Sequence, residues 1–337
     1  MAKLEDEKIL LAHGGGGIMM KELVSFLVGE IGGQEGALQD SAVLDMPAGR
    51  IAFTTDSFVV HPLFFPGGDI GHLAVCGTVN DLAVCGAVPK YISLAMIVEE
   101  GFPVGDLERI STSIRKTAKE AGVTVVTGDT KVVDRGKADG IFINTAGIGI
   151  VPEGIELSSA SAAVGDRDIV SGPIGEHGLA ILSRREGIDF GSDLESDAAP
   201  LSKLTVPLLE KFPGIKGMRD ATRGGLAAVL NEIASDSNVC IRIDEELIPV
   251  TDTVRSGCEL MGYDPLNIAN EGKLVAVVPA GEAEAVLDAM RATDLGAGAA
   301  IIGEAAAEPA GRVVMKTSFG GERVVDLPYG DLLPRIC

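Results

Sequence analysis

The sequence predicts an α/β fold with two domains, and three observations support this prediction. The chain has 337 residues, more than a single hydrophobic core usually serves. Hydrophobic residues make up 46% of it and aromatic residues only 4%, a balance typical of α/β units packed with Ala, Val and Ile. Strand-like apolar runs also alternate with runs of helical period. We therefore expect two packed α/β units.

The first unit is predicted to contain four strands and three helices. Apolar runs rich in β-branched residues predict strands at residues 50–60, 91–98, 123–133 and 141–151. Helical periodicity predicts helices at residues 18–27, 69–86 and 107–121.

A stretch rich in Pro, Gly and Ser at residues 152–165 predicts the connection between the two units. The second unit then repeats the alternation of strands and helices. Strands are predicted at residues 168–171, 239–243, 274–278, 300–303 and 312–316. Helices are predicted at residues 178–185, 201–211, 224–234 and 282–292. We expect domains at residues 1–155 and 160–322, followed by a flexible tail at residues 323–337.

The tail ends in a cysteine, Cys337. Pro328 and Pro334 are incompatible with a helix interior or a central strand, so the last ten residues are expected to be extended. An extended segment of that length spans roughly 30 Å. The thiol could therefore be delivered to a distant cleft, although a frayed terminus that happens to end in Cys is the simpler alternative.

The acidic charge balance narrows the range of partners. A formal net charge of −21 leaves no continuous basic surface for nucleic acid or for an anionic membrane. Metal ions and small phosphorylated ligands remain compatible with it, because Mg²⁺ bridges carboxylates and anionic substrates.

Cysteine usage and the first residues favour a cytoplasmic protein. The five cysteines form no CxxC pair, so zinc and iron–sulfur ligation are unsupported, and a sparse odd set is typical of a reducing compartment. The first residues are charged, and no apolar run reaches the ~18 residues of a membrane-spanning helix.

A glycine-rich turn near the start is the first candidate binding motif. His13 is followed by Gly14, Gly15, Gly16 and Gly17, and a predicted helix begins directly after them. Backbone N–H groups in such a turn can approach phosphates, and a helix N-terminus favours anions. The turn lacks the Lys and Ser/Thr of a P-loop, so by itself it could equally be a flexible segment.

Acidic residues at predicted strand ends and turns form the second candidate group. They are Asp56 after Thr55, Asp81 after Asn80, and Asp129, which lies two positions before Lys131. Carboxylates from separate elements suit Mg²⁺ that bridges nucleotide phosphates, although each could instead cap a turn or helix. Asp129 and Lys131 should share one face of their strand and stand at its end beside a cleft, the alternative being a surface ion pair.

The second unit carries the third group. Asp220, Arg223 and Gly224 precede a predicted helix, and Glu271 lies just before a predicted strand. Asp220 is a candidate metal ligand, and Glu271 a candidate base if the cleft partly desolvates it. Either could instead be a helix cap or a solvated turn residue.

These motifs together resemble the HypE family of hydrogenase maturation proteins. The resemblance rests on residues 55–57, 64–68, 76–81, 126–133, 220–225, 270–273 and 334–337, and it extends from about His13 to the last residue. The wider superfamily includes aminoimidazole ribonucleotide synthetase, selenophosphate synthetase and thiamine-phosphate kinase. It implies the two-domain PurM-like fold, usually as a homodimer, in which the first domain binds ATP and mediates dimerisation.

The resemblance implies a carbamoyl dehydratase that makes the cyanide ligands of [NiFe]-hydrogenase. A carbamoyltransferase, HypF, would load a carbamoyl group on Cys337. ATP with Mg²⁺ would then convert the S-carboxamide into a thiocyanate, and the cyanide would pass to iron on a HypC–HypD complex.

By matching motif, the resemblance also implies roles for single residues. Lys131 would polarise the transferring group, and Glu271 would accept protons. Metal ligands would be Asp56, Asp81, Asp129 and Asp220. Nucleotide contacts would come from these four and from Gly14, Gly15, Gly16, Gly17, Thr55, Asn80, Arg223 and Gly224.

Two other functions remain open on the sequence. An ATP-dependent small-molecule kinase or synthetase of the same fold would use the same Asp and Gly residues but would leave Cys337 without a role. A non-enzymatic scaffold that docks a metallocentre through its cysteine would show no ATP turnover.

Overall fold

The computed structural model describes residues 4, 6–15, 17–32, 41–188, 190 and 194–327. Thirteen strands and eight α-helices occur in this part of the chain. The first unit contains α1 (Ile18–Ile31), β1 (Arg50–Phe58), β2 (Phe64–Phe65), β3 (Gly68–Asp69), α2 (Ile70–Val84), β4 (Val88–Glu99), α3 (Val104–Ala121), β5 (Thr124–Val133) and β6 (Ile141–Val151). The second contains β7 (Arg167–Val170), α4 (Glu176–Glu186), α5 (Ser202–Lys211), β8 (Gly217–Asp220), α6 (Gly225–Ser237), β9 (Cys240–Asp244), α7 (Asp252–Met261), β10 (Leu274–Val278), α8 (Ala283–Arg291), β11 (Ala300–Ala306), β12 (Arg312–Lys316) and β13 (Glu322–Val324).

Each unit is built on its own sheet. The first sheet has the strand order β1-β6-β4-β5, with only β4 and β5 parallel. The second has the order β13-β12-β9-β11-β7-β10-β8, with only β12 and β9 parallel. The predicted α/β fold class is therefore confirmed, and both sheets are mixed.

Helix α2 packs between the two units. Asp69 caps it by accepting hydrogen bonds from the N–H groups of Gly71 and His72, at 2.8 and 3.0 Å. Nearly every side chain of this helix is buried, because one side packs against the first sheet and the other against the second unit. At Gly71 a side chain would come within 2.6 Å of the Ile110 carbonyl on α3, so glycine allows the two helices to pack closely.

Three apolar clusters stabilise this arrangement. One fills the space between the first sheet and helices α1, α2 and α3 and continues into α4 and α7 of the second unit, and a second lies between the second sheet and α6. The third also joins the units, because Leu82 and Val84 of α2 pack with Leu204 and Met218 of the second unit. Burial of apolar surface therefore fixes the end of α2 against β8.

One polar group in the second core is exceptional. Asp168 on β7 lies between Val277 of β10 and Gly303 of β11, and it is fully buried. Neither of its carboxylate oxygens has a hydrogen-bond partner among the described residues. Burial, and then the charge of Asp166, raise the pKa of Asp168 to about 7, while Arg167 acts in the opposite direction.

The structure contains five elements that were not predicted. They are the two-residue strands β2 and β3, strand β8, helix α7 and strand β13, and β13 includes two residues assigned to the tail. Val325 remains buried directly after that strand, so the second core extends past residue 322. Residues 328–337, including Cys337, lie outside the described residues. No helix in the described part of the chain combines the length and the apolar character that a bilayer crossing requires.

Candidate functional site

Asp56 lies on β1 with its side chain toward α2. A side chain at Gly77 of α2 would come within 3.3 Å of Asp56 Oδ2 and within 2.9 Å of the Phe58 ring, so glycine allows the helix to approach the strand. Asp56 Oδ1 accepts a hydrogen bond from the Ser57 N–H at 2.7 Å. Burial raises the pKa of Asp56, and the Asp81 charge raises it further, against the Ser57 hydrogen bond and Arg223.

Asp81 lies in the last turn of α2, facing the same strand. Thr54 donates a hydrogen bond from its hydroxyl to Asp81 Oδ2 at 2.7 Å. Burial raises the pKa of Asp81, although the Thr54 hydrogen bond and Arg219 lower it. The β1–α2 contact therefore places two carboxylates next to each other in a partly desolvated site.

Asp220 ends β8, the edge strand of the second sheet that packs on α2. Burial raises the pKa of Asp220 to about 6, and the charges of Asp81 and then Asp56 contribute in the same direction. The second unit thus adds a third carboxylate to the two from the first unit.

Glu271 completes this group from the loop before β10, and it is only 3% exposed. Burial raises its pKa well above the usual value, followed by the charges of Asp220, Asp197 and Asp56. Arg223 acts in the opposite direction. Asp56, Asp81, Asp220 and Glu271 are called the junction group below. A carboxylate whose pKa is raised by burial and like charges is a stronger base once it is ionised.

The junction group has the chemistry of a Mg²⁺ site that is shared with substrate. Among the described residues, no three His, Cys, Asp or Glu side chains converge as a closed metal site. Mg²⁺ is commonly held by one or two carboxylates together with substrate phosphates, so a closed protein cage is not required. Mutual repulsion among partly buried carboxylates fits a site that gains a cation.

Asp129 and Lys131 lie elsewhere, on the opposite face of the first sheet. Across the sheet, Asp129 is paired with Ala95, Ala95 with Asn144, and Asn144 with Ser57. Paired side chains project to the same face, so Asp129 shares the face of Ser57, and Asp56 next to Ser57 projects to the other face. Strands β5 and β1 are opposite edges of this sheet, so about three strand spacings, roughly 14 Å, separate them. Within one chain, Asp129 therefore cannot join the other three aspartates around one ion.

This outer-face pair, Asp129 and Lys131, is a solvent-exposed ion pair within the single chain. The Lys131 Nζ lies 3.0 Å from Asp129 Oδ1, and the two side chains are 66% and 61% exposed. Because both side chains are exposed, the expectation that they face a cleft is not met within a single chain. Thr55 is exposed on the same outer face, where its hydroxyl donates to the Thr145 carbonyl at 3.0 Å.

The glycine turn lies beside β5. A side chain at Gly14 would come within 3.0 Å of Val132 Cβ, whereas Gly17 has open space and caps α1. Gly15 lies between them, and Gly16 is outside the described residues. His13 is buried, and its Nδ1 accepts the Leu10 N–H at 3.0 Å, so it stabilises the turn.

Asn80 makes hydrogen bonds within the protein. Its buried amide donates to the carbonyls of Ala199 and Glu271, at 3.1 and 2.9 Å, and accepts the Leu201 N–H at 2.7 Å. Both protons of the amide are used by protein, and its oxygen accepts one protein hydrogen bond, so Asn80 fixes the Glu271 loop, and its direct contact with nucleotide stays a prediction. Gly224, with φ of 74°, caps α6, and Arg223 beside it lies close enough to act on Asp56 and Glu271.

The sequence reasoning missed Asp197, which adjoins the junction group. Asp197 Oδ1 accepts the Glu271 N–H at 3.0 Å, and Lys273 Nζ lies 3.3 Å from its Oδ2. A single Asp before Ala-Ala-Pro is typical of a turn, so the sequence carries no signal that could have singled it out.

Comparisons with known proteins show the family of the chain. The family model described as AIR synthase related protein, N-terminal domain, matches residues 38–151, and the corresponding C-terminal domain model matches residues 163–316. A carbamoyl dehydratase HypE from Rhizobium leguminosarum bv. viciae is 53% identical over 333 residues, covering 98% of this chain and 95% of the relative.

Two solved structures are also similar. A hydrogenase maturation protein HypE in complex with ATP is 45% identical with a TM-score of 0.94, covering 97% of this chain and 99% of the other. A HypE–HypF complex contains a chain that is 51% identical with a TM-score of 0.80, covering 82% of this chain and 90% of that one.

Proposed function

The chain belongs to the AIR synthase related family and, within it, to the HypE carbamoyl dehydratases of hydrogenase maturation, and we propose how its residues carry out that reaction. It is an enzyme, and its reaction is the ATP-dependent dehydration of a carbamoyl group on the C-terminal cysteine. The observation that carries this conclusion is the similarity to HypE over nearly the full length of the chain.

Glu271 is proposed as the base. Phosphorylation of the amide oxygen turns the loss of water into the loss of phosphate, and both N–H protons must leave as the carbon–nitrogen triple bond forms. A buried carboxylate beside other carboxylates suits the removal of such weakly acidic protons. The product on Cys337 would be a thiocyanate.

The three aspartates of the junction group are proposed to bind Mg²⁺, and through it the ATP phosphates. Asp56, Asp81 and Asp220 would hold the ion, which would screen the phosphate charges when bound. Arg223 and the N-terminus of α6 at Gly224 offer positive potential next to the same carboxylates. The ATP complex of a 45% identical HypE supports nucleotide binding.

The outer-face pair is proposed to act in the active site of a partner subunit. The outer face of the first sheet exposes Ile51, Phe53 and Ile97, and Phe53 is 69% exposed. Apolar side chains of that size on one open sheet face favour a homodimer through this face. Such a dimer would supply Asp129, Lys131 and Thr55 from one subunit to the junction group of the other.

The roles of the two domains, the partners and the cellular compartment are also proposed. Residues 1–155 would form the ATP-binding and dimerisation domain, and residues 160–322 the second domain. The solved complex of a relative with HypF supports HypF as the carbamoyl donor, and HypC–HypD would receive the cyanide. The four described cysteines are all free, which favours the cytoplasm. The kinase or synthetase alternative is not favoured by these comparisons.

Intact mass spectrometry tests the proposed reaction. The protein is incubated with HypF, carbamoyl phosphate and ATP, then freed of HypF and nucleotide and given fresh Mg-ATP. We expect a carbamoyl adduct that loses the mass of one water, absent in Cys337→Ala and present in Cys85→Ala, which removes an exposed free thiol elsewhere. ATP hydrolysis without any adduct on Cys337 would instead support the small-molecule synthetase.

A further inference from the structure

Residues 194–201, which precede α5 in the second unit, make hydrogen bonds to both units and are called the crossing segment. Residues 194–200 have no regular secondary structure. On the first unit, the Ser196 N–H donates to the Pro66 carbonyl at 2.8 Å, and His72 Nε2 donates to the Ala198 carbonyl at 2.8 Å. The tautomer follows from the partner, because a carbonyl only accepts. The segment is thus hydrogen-bonded to the loop before β3 and to α2.

On the second unit, the crossing segment contacts α4 and the Glu271 loop. His177 Nδ1 of α4 is 2.8 Å from the Ser196 hydroxyl, and Asp197 Oδ1 accepts the Glu271 N–H at 3.0 Å. Lys273 lies 3.3 Å from Asp197 Oδ2. The same eight residues therefore make hydrogen bonds to both units.

Two glycines show how closely the segment approaches. At Gly67 a side chain would come within 2.8 Å of the Ser196 backbone, and at Gly272 it would come within 1.8 Å of the Asp197 carbonyl. No side chain fits at either position without movement of the backbone. Gly272 directly follows Glu271, so the crossing segment lies against the peptide that carries the candidate base.

Asp197 is the buried polar centre of this contact. Its side chain is 1% exposed, and Oδ2 makes no hydrogen bond, although Lys273 is within ion-pair distance. Lys273 also lies 3.7 Å from Glu176, so one ammonium group serves two carboxylates. Asn80 fixes the Glu271 carbonyl, and Asp197 fixes its N–H, so the Glu271 peptide is bound on both sides.

We propose that Asp197 is a positioning residue for the dehydration step, holding the Glu271 backbone in place through its N–H so that the carboxyl group meets the carbamoyl nitrogen. This inference rests on the proposed role of Glu271 as base. Asp197 itself touches neither nucleotide nor carbamoyl group in this proposal. Small displacements of a reacting group cost rate without costing substrate affinity, so the two quantities should respond differently.

The experiment compares Asp197→Ala, which removes the acceptor, with Asp197→Asn, whose carbonyl oxygen can still accept the Glu271 N–H. Each full-length variant is loaded with carbamoyl groups by HypF, freed of HypF and nucleotide, and followed by mass spectrometry after fresh Mg-ATP. ATP affinity and thermal unfolding are measured in parallel. Glu195→Gln, a change at the exposed neighbouring carboxylate, is the matched control.

We expect Asp197→Ala to slow dehydration by about 10- to 100-fold with ATP affinity unchanged, and Asp197→Asn to restore most of the rate. Dehydration by Asp197→Ala at the wild-type rate would overturn the proposal. Equal loss in the Asn variant would overturn it too, because charge and not the hydrogen bond would then matter. So would loss of ATP affinity in a folded Ala variant.

A Glu271→Gln variant distinguishes failure of the positioning proposal from failure of the proposed role of Glu271 as the base. If Glu271→Gln dehydrates normally, the assignment of the base fails, and the positioning proposal fails with it. If Glu271→Gln is inactive while Asp197→Ala is normal, only the positioning proposal fails. If Asp197→Ala does not fold, two other variants still test the positioning proposal: Asp197→Asn and Ser196→Ala, which removes the His177 contact of the same segment. A normal dehydration rate in Asp197→Asn together with a reduced rate in Ser196→Ala, at unchanged ATP affinity, supports the proposal. A normal rate in both variants overturns it.

Discussion

The junction group and the outer-face pair present carboxylates in opposite surroundings. In the junction group, burial raises the pKa values of Asp56, Asp81 and Asp220, and neighbouring carboxylates raise those of Asp56 and Asp220 further. Asp129, on the other face of the same sheet, is exposed and is neutralised by Lys131. The two regions have similar residue types, so burial by α2 and by the second unit makes the difference.

In the proposed function, each site is divided between two chains. The junction group supplies carboxylates, whereas the outer-face pair supplies Lys131 on an apolar, exposed sheet face. An interface across that face would unite them.

Glu271→Gln should have the largest effect, because it removes the proposed base but keeps the shape of the side chain. We expect dehydration to slow by about 100- to 10,000-fold while ATP binding is retained. Mass spectrometry should then show the carbamoyl adduct persisting on Cys337. Glu153→Gln, at an exposed carboxylate of the connector, is the control. Normal loss of water in Glu271→Gln would contradict the assignment.

The second prediction concerns the sharing of sites between subunits. Asp81→Asn and Lys131→Ala should each reduce dehydration by about 100-fold, because each removes one half of the site. When the two proteins are mixed and allowed to exchange subunits, every heterodimer would have one site with both halves intact. Activity should then recover to about one quarter of wild type. Heterodimers that form, as shown by native mass spectrometry, but remain inactive would rule out the sharing.

The third prediction addresses the interface itself. Phe53→Asp should convert the dimer into monomers, because a charge replaces the most exposed large apolar side chain on the outer face of the first sheet. Burying an unpaired carboxylate should weaken the dimer by more than about 100-fold. The dehydration rate should fall in proportion to the remaining fraction of dimer, because a monomer would contain only half of the site. Analytical ultracentrifugation checks the first effect. Val164→Asp, at an exposed apolar residue of the connector, should leave the dimer intact. A Phe53→Asp dimer would place the interface elsewhere.

The sequence predicted most of the elements because their periodicity agrees with their burial. Helix α3 buries one face and exposes the other, and its predicted C-terminal end, Ala121, is the observed one. Strand β8 was missed because it is four residues long and carries Arg219 and Asp220. Helix α7 was missed although Thr251 caps it by accepting the Val254 N–H at 3.3 Å, a signal that was present in the sequence.

The site was predictable in composition but not in arrangement. Period two in a strand places Thr55 and Asp56 on opposite faces, but the sequence does not tell which face α2 covers. Tertiary packing decides that, through the close contact at Gly77. The role of Asn80 and the contact of Asp197 with Glu271 depend on segments more than seventy residues apart. No local pattern contains such information.

The last prediction concerns the effect of burial alone, because a substitution of Asp168 should change stability and leave the dehydration rate unchanged. Asp168 is a buried carboxyl without a proposed role, and burial raises its pKa to about 7, against about 3.9 in an unfolded chain. The folded protein therefore retains this proton between about pH 4 and pH 7, where the unfolded chain loses it. Stability should fall as the pH rises through that range, by an amount on the order of 4 kcal/mol, and stay constant above it.

Asp168→Asn removes this pH dependence. At pH 8 the free energy of unfolding should rise by about 1–3 kcal/mol, less than the full penalty because the buried amide also lacks partners, and at pH 4 it should not rise. Urea unfolding at the two pH values measures the difference. Asp166→Asn is the control. At pH 8 it should lower the free energy of unfolding, because it removes the ion pair of Asp166 with Lys216 at 2.7 Å. An equal effect of Asp168→Asn at both pH values would show that burial alone does not shift this carboxyl, and would weaken the same explanation for the junction group.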